Sequence, residues 1–169
     1  MDSVVIREGD VLTSGADIIC HQVNCRGVMG AGLAKQVKQA NPQLFRQYCE
    51  RCKQYSGRPL GSAQLLGSAL ILPIDKDRYK EIASQHFIAN CFGQDGFGRS
   101  GVHTNYDALK VSLVRVREFA KFYGKKTIAI PYMLGCGLAG GDWDTVQKII
   151  GEVFDWCLGL EVTIWRYVP

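Results

Sequence analysis

Hydrophobic positions along this chain follow two patterns, and each pattern predicts a different kind of element. Short, nearly continuous apolar runs are typical of strands covered on both faces. They predict strands at 4–7, 18–23, 86–92, 127–131 and 162–168, with further candidates at 63–66 and 69–72. Apolar residues spaced three and four apart predict helices over about 30–40, 42–53 and 105–123, and from 143 to a stop at Gly159. The elements alternate without a linker or repeat, which predicts one α/β domain over residues 1–169, a three-layer α/β/α sandwich.

Two glycine-rich loops each join a buried strand to a helix. The first spans 24–33 and contains Gly27, Gly30 and Gly32, and the second spans 132–141. Glycine lets the backbone approach a ligand closely, and a helix N-terminus offers unpaired N–H groups to an anion. Ligands bind where such loops converge at the carboxyl ends of strands in open α/β sheets. The pair of loops therefore predicts a diphosphate held between two backbone cradles, whereas the first loop alone is also compatible with a tight turn that binds nothing.

Length and composition add few constraints. The chain has 169 residues, of which 47% are hydrophobic and 21% charged, as is ordinary for one soluble domain. No apolar run approaches the length of a membrane span. The N-terminal residues lack the basic start and long apolar core of a signal peptide, so the expected compartment is the cytoplasm.

Charge and cysteine content disfavour two further classes of site. The net charge of +4 is mild and compatible with a weak attraction for anionic ligands. The densest basic group, within 115–126, has no interleaved aromatic residues and is interpreted as a solvated helix face, with a nucleic-acid-associated module as the weaker alternative. Most of the seven cysteines lie in apolar runs, which favours buried reduced thiols. Cys49 and Cys52 have no matching second pair, so neither a zinc site nor any other metal site is predicted.

The first loop does not match the common nucleotide-binding motifs. A G-x-G-x-x-G fingerprint starting at Gly30 would need its third glycine where Lys35 stands. No Lys-Ser or Lys-Thr pair follows either loop, as a phosphate-binding P-loop requires. Nicotinamide redox chemistry and ordinary nucleotide hydrolysis are therefore not favoured.

The chain instead resembles the macrodomain family, which binds ADP-ribose. The resemblance covers essentially the whole chain and rests on the segments 9–12 (Gly-Asp-Val-Leu), 30–34 (Gly-Ala-Gly-Leu-Ala, after Asn24) and 135–138 (Gly-Cys-Gly-Leu, before Asp142-Trp143). Within the family the chain is similar to a divergent branch that includes ADP-ribose 1''-phosphate phosphatases and small ADP-ribosyl glycohydrolases. The resemblance implies a sandwich with a mixed central sheet.

The resemblance also implies roles for individual residues. Asp10 would accept a hydrogen bond from the adenine amino group, beside the backbone of Val11, or would only cap its turn. Tyr167 would pack against adenine, or belong to the core. Asn24 would reach the distal ribose, or bond its own turn. The two diphosphate cradles would be formed by Gly30, Ala31, Gly32 and Leu33, and by Met133, Leu134, Gly135, Cys136, Gly137 and Leu138.

Catalysis is where this chain departs from the branch. Glycohydrolases of the branch are similar in having a Lys after the strand that matches 86–92 and an Asp directly after the second loop. Here that strand leads to Gly93-Gln94, and Ala139 follows Leu138. Asp142 is the nearest carboxylate and would orient or deprotonate an attacking water, with Asn24 assisting; alternatively it only caps the last helix.

Three other side chains are candidates for a catalytic or ligand-binding role. His21 lies in the second strand, where a histidine is more often part of the core. His103 lies in the glycine-rich segment 93–101, a possible flap, and could approach a ligand. Cys136 would have its pKa lowered by an anion cradle, but no base partner for a thiol nucleophile is evident.

The sequence therefore leads to two functional hypotheses. The first is a hydrolase that removes phosphate from ADP-ribose 1''-phosphate, or ADP-ribose from a modified macromolecule, by water attack at the distal ribose. The second is a binding module that reads ADP-ribose without turning it over. The expected partner is an ADP-ribose-containing small molecule or an ADP-ribosylated macromolecule, with nucleic acid only as a modified substrate, no membrane and no cofactor.

Overall fold

The computed structural model describes residues 4–75 and 81–169. Its strands are β1 (Val4–Glu8), β2 (Ile18–Val23), β3 (Ala69–Pro73), β4 (Phe87–Phe92), β5 (Thr127–Pro131) and β6 (Glu161–Arg166). Its α-helices are α1 (Gly32–Ala40), α2 (Pro42–Ser56), α3 (Tyr106–Phe122) and α4 (Trp143–Phe154). Short 3₁₀ turns cover Val11–Thr13, Gly61–Gln64 and Ile82–Ser84. None of the helices in the described ranges is both long and apolar enough to cross a bilayer.

The sheet is mixed and has the strand order β1-β6-β5-β2-β4-β3. Neighbouring strands run parallel except β3, which is antiparallel to β4 at the edge. Alternate residues of β2 enter two separate cores: Ile18 and Cys20 pack in the cluster with α3 and α4, whereas Ile19 and Val23 pack in the cluster with α1 and α2. This arrangement confirms the three-layer α/β/α sandwich with a mixed sheet.

Several element boundaries differ from the sequence-based expectation, including the end of α2 at Ser56 instead of residue 53 and the end of β6 at Arg166 instead of residue 168. The segment 63–66 is not a strand, because N–H groups in it bond three residues back, from Ala63 to Leu60 and from Leu65 to Ser62. Helix α1 begins at Gly32 and not at residue 30. Helix α4 ends at Phe154 although the apolar period continues, because the following residues form turns such as the bond from Cys157 N–H to the Phe154 carbonyl (3.0 Å).

A buried polar pair joins the two central strands β2 and β4. His21 Nε2 lies 2.7 Å from Asn90 Oδ1, and Asn90 Nδ2 donates to the Leu70 carbonyl at 2.9 Å. Because the Asn90 amide nitrogen is committed to Leu70, its oxygen faces His21, and Nε2 must carry the imidazole proton. Nδ1 of His21 is then an acceptor, and it is buried without a hydrogen-bond partner among the described residues.

This pair makes a prediction for stability. Burial lowers the pKa of His21 from 6.5 to about 4, against the hydrogen bond that His21 donates to Asn90, which raises it. Between these values the unfolded chain binds a proton that the folded chain does not, so stability is complete above pH 6.5 and is lost as the pH falls toward 4. We expect wild type to lose about 2 kcal/mol more than His21→Gln between pH 7 and pH 5 in urea unfolding. Equal losses in the two proteins would contradict this role of burial.

Candidate functional site

A cavity of about 590 Å³ opens where β2 and β5 end and their loops begin. Three segments line it. The first is the end of β2 with the first glycine-rich loop and the start of α1, and the second is the segment 94–99, which follows β4. The third covers residues 131–139, the end of β5 and most of the second glycine-rich loop. All three leave the carboxyl edge of parallel strands. The cavity is therefore where the sequence places the convergence of its two loops.

Asn24 holds the first loop in shape. Its Oδ1 accepts the N–H of Arg26 at 2.9 Å, and its Nδ2 donates to the Val28 carbonyl at 2.8 Å. The buried hydroxyl of Tyr48 lies 2.6 Å from the Asn24 carbonyl and 2.9 Å from Oδ1, which ties the loop to α2. The local bonding considered for Asn24 is thus present. Asn24 also lines the cavity, and one N–H of its amide is not used by these turn contacts.

The start of α1 offers backbone donors to the cavity. Ala31 is its N-cap and makes no side-chain capping bond. Within the described residues, the N–H groups of Gly32, Leu33 and Ala34 have no acceptor, because a helix leaves its first N–H groups unpaired. The helix dipole adds a partial positive charge at the same place. This wall of the cavity is suited to an anion.

The second loop offers a similar set of donors in a fixed shape. Gly135 has a φ of +71°, and a Cβ on it would lie 2.8 Å from Gln22 Oε1, so a side chain does not fit there. Its carbonyl accepts the N–H of Gly141 and the hydroxyl of Thr104, at 2.9 and 2.6 Å. Among the described residues, no acceptor reaches the N–H groups at 137–139.

A polar network beneath the second loop was missed by sequence reasoning. Gln94 Nε2 donates to the Gly96 carbonyl at 2.8 Å, which turns Gln94 Oε1 toward Gln22. Gln22 Nε2 then donates to Gln94 Oε1 at 2.8 Å and to Thr104 Oγ1 at 2.9 Å. The signal that could have found it is the polar residue Gln22 at the end of an otherwise apolar strand.

Five of the proposed site residues lie outside the lining of the cavity: Asp10, Val11, Cys136, Asp142 and Tyr167. Asp10 Oδ1 accepts the Leu12 N–H at 2.9 Å and caps a 3₁₀ turn. Val11 is buried, and Tyr167 is exposed after β6. The other proposed residues line the cavity: Asn24, Gly30, Ala31, Gly32, Leu33, Met133, Leu134, Gly135, Gly137 and Leu138.

Asp142 and Cys136 have environments that limit their chemistry. Asp142 is the N-cap of α4: its Oδ2 accepts the N–H and the hydroxyl of Thr145 at 2.9 and 2.8 Å, and these bonds lower its pKa. Burial, with a smaller effect of Asp142, raises the pKa of the Cys136 thiol to about 11. The expectation that Cys136 has a lowered pKa was therefore wrong. Its thiol donates to the Leu134 carbonyl and is not activated.

His21, which the sequence suggested as a core residue, borders the cavity. Its side chain is almost completely buried, and its unpartnered Nδ1 distinguishes it from a satisfied core histidine. His103 does not line the cavity, and its Nε2 lies 3.0 Å from the Ser100 carbonyl. The burial of His21 confirms its expected core position, and its place at the border of the cavity is what sequence reasoning missed.

Comparisons with known proteins agree with this geometry. An ADP-ribose 1''-phosphate phosphatase of Meyerozyma guilliermondii is 32% identical over 97 residues, 54% of this chain and 54% of that protein. A DNA ADP-ribosyl glycohydrolase of Mycobacterium tuberculosis is 28% identical over 159 residues, 93% of this chain and 40% of that protein. The chain thus spans about half the length of these curated relatives, or less.

A solved structure shows the same fold. The macrodomain of Mycobacterium tuberculosis DarG superposes with a TM-score of 0.75 at 24% identity, over 96% of each chain. The family model described as Macro domain matches residues 20–150, a range that includes both glycine-rich loops, β3, β4, β5 and all of β2 except its first two residues. Since this match covers well over half of the sequence, the chain belongs to the Macro domain family.

Proposed function

We propose that this macrodomain binds ADP-ribose and hydrolyses the bond between its distal ribose and a substituent, either a 1''-phosphate or a macromolecule. The observation that carries the proposal is the pair of backbone N–H sets, at the start of α1 and at 137–139, that border one cavity. Such donors are suited to the two phosphates of a diphosphate. The two relatives named above, a phosphatase and a glycohydrolase, support hydrolysis over binding alone.

Adenine recognition is assigned to residues beyond the cavity lining. The Gly9 N–H bonds the Arg166 carbonyl at 3.0 Å, which holds the segment before Asp10 beside the end of β6. Asp10 uses one carboxylate oxygen for Leu12 and keeps the other for the adenine amino group. The exposed ring of Tyr167 follows β6 and would cover the base.

The activation of water is assigned to His21 in preference to Asp142. No carboxylate lines the cavity in the part of the chain that the structure describes. Asp142 has one oxygen committed to Thr145 and lies outside the lining. His21 is neutral at pH 7, since burial lowers its pKa to about 4, and its Nδ1 needs a donor. Nδ1 has almost no exposed surface, so the ring must shift toward the cavity before a water or ligand hydroxyl can donate to it.

The proposed reaction uses two side chains of the cavity, Asn24 and His21. Asn24 would orient the distal ribose through its remaining amide N–H. The oxygen of water bonds to the distal ribose carbon or to the phosphorus of a 1''-phosphate, and the bond from that atom to the leaving oxygen breaks. The proton of water passes to His21 Nδ1, and the imidazolium returns a proton to the leaving oxygen. An anionic ligand beside the imidazole raises its pKa toward the range in which such a transfer is effective.

A reader without turnover is the second candidate. It is favoured by Gly93-Gln94 after β4, where the related glycohydrolases have a lysine, and by the acid-free lining among the described residues. Turnover measurements decide between the two functions.

Binding can be tested at the second loop. We expect wild type to bind ADP-ribose at micromolar concentration in calorimetry, with AMP and NAD binding more weakly. Gly135→Ala should weaken ADP-ribose at least tenfold, because a Cβ there displaces Gln22 and the loop. Gly57→Ala is the matched control, since Gly57 has a negative φ and open space around it. Absence of ADP-ribose binding at millimolar concentration would exclude the proposed function.

Turnover can be tested with His21 and Asp142 variants. Removal of a general base typically costs about 10²–10⁴ in rate, so His21→Ala should lower kcat at least tenfold while the Kd for ADP-ribose stays within threefold. Asp142→Asn should keep most of the activity and change the melting temperature little, because asparagine caps a helix about as well as aspartate. Should His21→Ala fold poorly, His21→Gln serves instead, since it can keep a bond to Asn90. A larger loss of kcat in Asp142→Asn than in the His21 variants would return the role of base to Asp142.

A further inference from the structure

The cavity is bordered by one positive charge, that of Arg99, which no acidic residue of the described lining compensates. Among the described residues that line the cavity, Arg99 is the only one with a permanent charge, and none of them is acidic. The uncharged N–H donors already serve a diphosphate. The guanidinium of Arg99 adds a full positive charge to these donors. The cavity is therefore suited to a ligand that carries an anionic group in addition to the diphosphate.

Arg99 is also free to meet a ligand. Within residues 4–75 and 81–169, it has no ion-pair or hydrogen-bond partner. Nearby arginines differ in this respect: Arg26 pairs with Asp95 at 3.3 Å, and Arg166 pairs with Glu8 at 3.3 Å. Those pairs neutralise their charges, whereas that of Arg99 stays available.

The position of Arg99 indicates which part of the ligand it meets. The segment that carries it is tied to the second loop, because the N–H groups of His103 and Thr104 both bond the Ala139 carbonyl, at 2.7 and 3.2 Å. Gly140 also packs directly against the Gly101 carbonyl, with no room for a Cβ. Arg99 thus lines the same cavity as the unpaired N–H groups at 137–139 and as Asn24, the residue assigned to the distal ribose.

Resting on the proposed function, we propose that Arg99 determines specificity by recognising an anionic group on the distal ribose, so that phosphorylated ADP-ribose is favoured over neutral linkages. The planar guanidinium matches phosphate oxygens with two parallel hydrogen bonds. In the reaction, the oxygen of water bonds to phosphorus, the bond from phosphorus to the ribose oxygen breaks, and inorganic phosphate leaves. The proton of water passes by way of His21 to the ribose oxygen, and Arg99 stabilises the charge on the phosphoryl oxygens.

The test compares two substrates and one ligand across arginine variants. Wild type, Arg99→Met and Arg99→Lys are assayed for kcat/KM on ADP-ribose 1''-phosphate and on an ADP-ribosyl ester of a neutral peptide, and the Kd for ADP-ribose is measured by calorimetry. Arg115→Met is the matched control, because Arg115 is exposed on α3 and does not line the cavity.

We expect Arg99→Met to lower kcat/KM on the phosphorylated substrate at least tenfold, to leave the Kd for ADP-ribose within threefold, and to change the ester rate little. Arg99→Lys should restore part of the loss, and Arg115→Met should behave as wild type. If Arg99→Met lowered kcat/KM on both substrates and the affinity for ADP-ribose by the same factor, the proposal would be overturned. Arg99 would then only attract anionic ligands in general. Cleavage of the ester alone by wild type would also overturn it while leaving the proposed function intact, whereas no ADP-ribose binding would exclude both.

Discussion

The hydrogen bonds between Tyr48 and Asn24 are the constraint on which the rest of the site depends. They connect the second helix to the turn that leaves the central strand, at a point where neither side is exposed to water. Asn24 in turn fixes the carbonyl of Val28 and the N–H of Arg26. These bonds set the direction in which the chain enters α1. They therefore also set the orientation of the unpaired N–H groups at the start of α1. A buried hydroxyl that lost its acceptor would cost about 1–3 kcal/mol, which explains why the turn has little freedom.

The second loop is held in place by different interactions from those of the first loop. Its support comes from amide and hydroxyl groups of Gln22, Gln94 and Thr104 and from the absence of side chains at Gly135 and Gly141. Gln22 belongs to β2, the strand that also carries His21 and leads to Asn24. One strand thus supplies a support for each wall of the cavity and the buried imidazole between them. Movement of β2 relative to its neighbours would disturb all three at once.

Much of the fold could be predicted because its signals are local. Apolar runs and helical periods are properties of adjacent residues, and they gave the layers correctly, apart from segment 63–66, where four residues carry too little pattern to separate a strand from a turn. The backbone donors of the site could be predicted for the same reason, since glycines and helix starts lie next to each other in sequence. The Gln22 network could not, because its members are 72 and 82 residues apart along the chain. The free Nδ1 of His21 was equally hidden, since it depends on Asn90 turning its amide toward Leu70.

The pairing of the first strand with the last has a consequence for the order of folding. Val4 lies opposite Val162, so β1 can pair only with a strand that is synthesised about 160 residues later. On the ribosome, β2 can meet β4 and β5 well before β6 exists. The first loop and its Tyr48 anchor can therefore be assembled while the nascent chain still lacks the strand beside Asp10. The part of the site beside Asp10, for which we propose adenine binding, is therefore completed only after β6 has been made.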